Sequence, residues 1–251
     1  MLPHDRTCQL VEDLFSRTIS QGTLYNWNLA CYRNLESTEE QICQAIFASE
    51  VAHFDETGIR QQGKLHWLHT ASTSRLTFYG LHARRGAEAM IDLLLEAKET
   101  SEATLENCLA ENSPELASIC LRYDALIASG LEQNLPPLVQ EESKKKKRGR
   151  PKQSKAKNML DRLRDFKPQV LAFLTHPLIP FDNNQGERDI RMAKLKQKIS
   201  SCFRGPQGGD IFARIRGYVS TLRKNDCSIL AGLQSTFHQP PKLPAHILAA
   251  E

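Results

Sequence analysis

The sequence predicts an α+β protein, predominantly helical, with one three-stranded antiparallel meander set between helical stretches. Three observations predict it. Apolar residues recur at helical spacing from Cys8 to about residue 48, and the helical period returns after Gly86. Between these stretches, "SEVAHFDE", "KLHWLHTA" and "RLTFYGLHA" are short and rich in aromatic and β-branched residues. No convincing strand follows them.

Taken in order, Leu10, Val11, Leu14 and Phe15, then Ile19, Leu24 and Trp27, fit two short helices, with Ser20 as N-cap of the second. Such a pair is either a helix-turn-helix that reads DNA or an ordinary packing unit. A third helix is expected from near Ser37, with Glu40 at capping-box distance. In the first strand, Asp55 is expected where the chain leaves the core, stopped by Gly58, and "GIRQQG" and "STS" separate the strands. Helices follow over "AEAMIDLLLEAKET", roughly 113–130, "NMLDRLRDFKPQVLAFL" with a break at Pro168, a helix opened by "DNNQGERD", then 210–223 and 228–237. The Pro-rich tail is expected to be loose.

A chain of 251 residues, 40% hydrophobic and 25% charged, accommodates one large domain or two small ones. The expected division is a helical N-terminal region at 1–48 and a discontinuous core at 49–98 and 158–226. A helical segment with a basic linker occupies 99–157, and a C-terminal helix and tail 227–251. No apolar run approaches the roughly 20 residues that span a bilayer, and the first residues lack a signal-peptide pattern, so a cytoplasmic protein is expected. The seven cysteines form no CxxC pair and are expected to be reduced thiols.

The net charge of +4 is unevenly placed. "KKKKRGRPKQSKAK" at 144–157 holds nine Lys or Arg in fourteen residues, which marks a polyanion partner or a solvated loop. Within it, Arg148, Arg150 and Lys152 belong to "KRGRPK", the Arg-Gly-Arg-Pro core of AT-hook peptides that lie in the A·T minor groove. Non-specific phosphate attraction and a plain linker are the alternative readings.

Two carboxylates draw attention. Glu187 sits early in the "NNQGERD" helix, and residues 187, 191, 194 and 198 share one stripe, so Arg191, Lys194 and Lys198 line up with it. By spacing alone this is either a capping box on an ordinary solvated face or a functional stripe. Joined to Asp55 on the first strand, it matches the way ribonuclease-H-like folds hold divalent metals with clustered hard oxygen ligands.

The stretches "HFDETGIRQQGKLHWLHTASTSRLTFYGLHARRGAEA", "PFDNNQGERDIRMAKLKQKISSCFRGPQGGDIFARIRGYVSTLRKN" and "LFSRTISQGTLYNW" together resemble the transposases of the insertion-sequence-66 family, bacterial DDE enzymes. The resemblance extends over nearly the whole chain. It implies a partial ribonuclease-H-like core, Mg²⁺ or Mn²⁺ as cofactor, and cleavage and joining of double-stranded DNA at element ends and target. By residue, it implies Asp55 and Glu187 as catalytic metal ligands, and Arg188, Arg191, Lys194 and Lys198 as backbone contacts.

The sequence departs from the family where members carry a further strand with the second catalytic Asp, then a helix bearing His and Arg. Here "GAEAMIDLLLEAKET" runs straight into later helices, as in an internal deletion, and neither Asp92 nor Asp124 substitutes convincingly. Ser201 stands where the family usually has Gly, and Met1 falls inside the family pattern, without the upstream DNA-binding segment. The expectation is a catalytically incomplete protein, or a DNA-binding remnant that forms homo-oligomers or mixed assemblies with full-length transposase. The lost strand is also expected to leave the meander with an open edge.

Overall fold

The computed structural model describes residues 2–86, 89, 114–136, 153–176, 179–238, 241 and 243–248. The chain divides into two units, Met1–Ala103 with Asp182–Glu251, and Thr104–Phe181.

In the first unit, helices α1 (His4–Phe15), α2 (Gln21–Asn34) and α3 (Glu36–Phe47) precede strands β1 (His53–Gln61), β2 (Lys64–Ser72) and β3 (Thr77–His82). The Ser20 hydroxyl caps α2 by accepting from the Thr23 N–H at 3.0 Å, as the sequence predicts. No capping box starts α3, because only Leu35 separates it from α2 and that backbone is still helical.

The strands form one antiparallel sheet in the order β1-β2-β3. The predicted meander is therefore present, but β1 differs from its predicted extent. Asp55 is its third residue, paired with Thr70, and the strand runs on through Gly58 to Gln61. The turn is the pair Gln62-Gly63, both at positive φ, the two-residue hairpin geometry that Gly favours. Gly58 is interior because a Cβ there would press within 3.2 Å of Leu65 Cδ1, across the hairpin.

The described part of the second unit comprises α4 (Pro114–Gln133), α5 (Lys155–Asp165), α6 (Lys167–Val170) and α7 (Ala172–Thr175). The predicted break at Pro168 falls instead at Phe166, and Pro168 sits in the first turn of α6, where its missing N–H costs nothing. Tyr123 donates to the Leu163 carbonyl and Lys167 to the Asp124 carboxylate, tying α4 to the α5–α6 run.

Helices α8 (Asn184–Ser200), α9 (Gly208–Lys224), α10 (Ile229–Ser235) and α11 (Ala245–Leu248) complete the first unit. One sheet face carries Ile59, Leu68 and Tyr79 against Ile190 and Ala193 of α8 and Phe212 and Ala213 of α9. The other carries Ala71 and Phe78 into a core with Leu35, Ile42, Ile46 and Tyr218. The described part of the tail, 241 and 243–248, is not loose. Leu243 and Ile247 are buried in this core, and the Thr38 hydroxyl donates to the Pro241 carbonyl at 2.6 Å.

Each sheet edge is partly covered. Along β1 the carbonyls of Phe54, Gly58 and Arg60 accept from the Asn183 and Gln197 side chains and the Phe203 N–H, while Gln62 N–H donates to Phe203. Along β3, Thr77 N–H donates to the Thr221 hydroxyl of α9. The open edge expected from a lost strand is thus covered in part, where helix side chains and one isolated bridge take up some of its polar groups.

Candidate nucleic-acid interface

Helix α8 is placed by what its buried side must satisfy. Gly186, Ile190 and Ala193 turn inward, and Lys224 of α9 donates to Asp189 Oδ2 at 2.9 Å, both side chains about nine-tenths buried. The same ammonium donates to the carbonyls of Thr73 (2.8 Å) and Leu76 (2.9 Å), and Tyr79 donates to the Asp189 carbonyl at 2.6 Å. Asp189 thus serves the packing of α8 against the sheet and α9.

With that face committed, periodicity leaves Glu187, Arg188, Arg191, Lys194 and Lys198 exposed. The stripe expected from the sequence is therefore on the solvent side. The capping box is not formed. Asn183, at the N-cap, spends its side chain on β1 instead, donating to the Phe54 carbonyl at 2.6 Å and lying 3.1 Å from His53 Nδ1. This contact brings the first turn of α8, with Glu187, to the β1 residues next to Asp55.

Asp55 is partly buried on the sheet face that α8 covers, and one of its oxygens accepts the Glu56 N–H at 2.8 Å. Opposite it, Thr70 is fully buried, and its hydroxyl, with those of Ser72 and Thr77, has no hydrogen-bond partner among the described residues. Glu56 points to the other face, as the strand period requires. Its carboxylate accepts from Arg85 and from Gly86 N–H and lies 3.7 Å from His69. Burial would raise this carboxyl, but the Arg85 hydrogen bond, the Gly86 N–H and the adjacent charges outweigh it and hold it below the usual range.

A pair of divalent metals needs a converging set of hard oxygen ligands. Among the described residues no group of three or more His, Cys, Asp or Glu side chains converges in this way. The described site offers Asp55 and the exposed Glu187, with neutral hydroxyls behind Asp55, and by itself this does not compose a two-metal set. Asp92, Arg148, Arg150 and Lys152 lie outside the described residues. Asp124 is at the surface of α4, paired with Lys167 at 2.6 Å.

Sequence reasoning missed two features. The sequence assigns Asn183 no role, and only its partner on a strand 130 positions earlier reveals it as the link between the two carboxylate-bearing elements. Lys196 lies off the exposed stripe and faces a cleft formed with α1 and α2. Its ammonium sits 4.1 Å from the Phe203 ring centroid.

The Transposase IS66 family model matches residues 1–105 and 124–211 of the chain. The chain belongs to this family, and its role is that of a transposase-family protein. No curated protein and no solved structure matched it. No described helix is long and apolar enough to cross a membrane.

Proposed function

We propose that this protein binds double-stranded DNA through the exposed cations of α8 and does not cut it unaided. The observation that carries this reading is the row Arg188, Arg191, Lys194 and Lys198, solvent-facing on a helix whose first turn is docked on the Asp55 strand by Asn183. Phosphate oxygens are the natural partners of such a row, since they position a duplex without reading its sequence. Arg148, Arg150 and Lys152 add phosphate or minor-groove contacts from the basic segment.

Asp55 and Glu187 are the retained members of the parent catalytic set, and Mg²⁺ or Mn²⁺ would supply nucleophile activation and leaving-group stabilisation in a complete site. The second Asp has no counterpart in the sequence, which supports a ribonuclease-H-like remnant that is catalytically incomplete. In the cytoplasm it would occupy element ends as a homo-oligomer or in mixed assembly with full-length transposase.

Calorimetry with Mg²⁺ and Mn²⁺, plasmid nicking and DNA mobility on the same samples of wild type, Asp55→Ala and Glu187→Ala test the reading. DNA binding that survives in all three, without metal-dependent nicking, is the expected result. Nicking by the wild type that disappears in both variants would show a complete metal site and overturn it.

A further inference from the structure

Besides the carboxylate pair, the first unit contains a cleft of about 650 Å³ bordered by the start of α1, by α2, by the end of α8 and by the start of α9. Tyr25 and Phe203 contribute partly exposed aromatic surface, and Phe212, whose ring lies 5.5 Å from that of Phe203, is buried in the core beneath. Lys196 and Arg204 contribute cations, and neither is paired with a carboxylate among the described residues. Burial pushes the Lys196 ammonium below its ordinary range, as expected of a cation without a counter-ion. Asp5 is the acidic residue of the lining.

We propose that this cleft receives one unpaired nucleotide, its base against Tyr25 and Phe203 and its phosphate at Lys196 and Arg204. The inference rests on the reading that DNA is the ligand, and it adds a single-stranded element to it. Two features favour a nucleotide. Flat apolar surface beside cations that have no carboxylate partner among the described residues complements a base joined to a phosphate. The volume is that of a small-molecule site, enough for a nucleotide. A paired base has both faces stacked and its edge engaged, so an end or overhang is the part of DNA that can enter.

Fluorescence anisotropy with a blunt duplex and the same duplex carrying a four-nucleotide 3′ overhang tests the proposal. The wild type is expected to prefer the overhang by about tenfold, within the range of one stacked base. Tyr25→Ala and Lys196→Met are expected to bring the ratio near one while blunt-duplex affinity stays within about twofold, which also reports an intact fold. Lys196→Arg is expected to keep the preference. Phe203 is left unaltered because its backbone bridges to β1. Independently, 2-aminopurine in the overhang is expected to be quenched on binding.

Blunt-duplex binding with no overhang preference, or a preference that both variants keep, would overturn the proposal. Loss of binding to either duplex at low salt would instead bring down the DNA reading on which it rests.

Discussion

Replacing Lys224 with Met removes the cation that ties α9 to α8 and to the β2–β3 turn. In the structure this ammonium neutralises Asp189 at 2.9 Å and satisfies the Thr73 and Leu76 carbonyls, with 12% of the Lys and 11% of the Asp side chain exposed. Met fills a similar volume, so the cost is electrostatic rather than a cavity. Asp189 keeps the Gln185 amide at 3.0 Å but loses its counter-charge. Breaking a buried pair from one side costs about 3–5 kcal/mol. With a urea slope of about 2 kcal/mol per M, the midpoint falls by roughly 2 M. Trp27 and Trp67 both lie in the first unit, so tryptophan fluorescence follows this unit's unfolding. Replacing Asp189 with Leu as well is expected to restore at least half of the loss, since the orphaned charge then disappears. A midpoint shift of the single variant below about 0.5 M would refute the reasoning.

Two further outcomes follow from the same packing. Burial pushes the Glu39 carboxyl up to about 7, and the Arg214 guanidinium, 2.6 Å away, only partly opposes it. The folded state then holds a proton that the unfolded chain releases near 4.5, so stability falls as pH rises from about 4.5 to 7, by about 3 kcal/mol. Glu39→Gln is expected to lack this decline in urea midpoints taken at pH 5 and pH 7.5, and parallel slopes in the two proteins would contradict it. A Cβ on Gly217 would lie 3.0 Å from the Thr77 carbonyl oxygen, where α9 passes the β3 edge. Gly217→Ala is therefore expected to cost about 1–3 kcal/mol as a lower thermal midpoint, against the gain of up to about 1 kcal/mol that Ala brings to an unobstructed helix.

Much of the fold was legible because its signals are local. The aromatic and branched residues of "KLHWLHTA" and "RLTFYGLHA" mark β2 and β3 closely, and Ser20 marks the start of α2. What was not legible depends on distant partners. Gly58 reads as a stop, yet it is a strand interior that makes room for Leu65 across the hairpin. The tail reads as loose because prolines dominate it, yet Leu243 and Ile247 find a core built by α2, α3 and α9. At the site, the shared stripe of Arg191, Lys194 and Lys198 followed from period alone, and Arg188 from the resemblance. The link from Asn183 to Phe54 could not, since a hydrogen bond between residues 129 positions apart leaves no periodic trace.

The salt dependence of duplex affinity tests the central claim most directly, compared between wild type and the fourfold variant Arg188→Ala, Arg191→Ala, Lys194→Ala, Lys198→Ala. Each phosphate contact adds about 0.9 to the slope of log affinity against log salt. If these four side chains grip the backbone, the slope is expected to fall by about 3–4 and affinity at low salt to drop accordingly. Equal slopes for the two proteins would mean that DNA, if bound at all, does not lie on this helix.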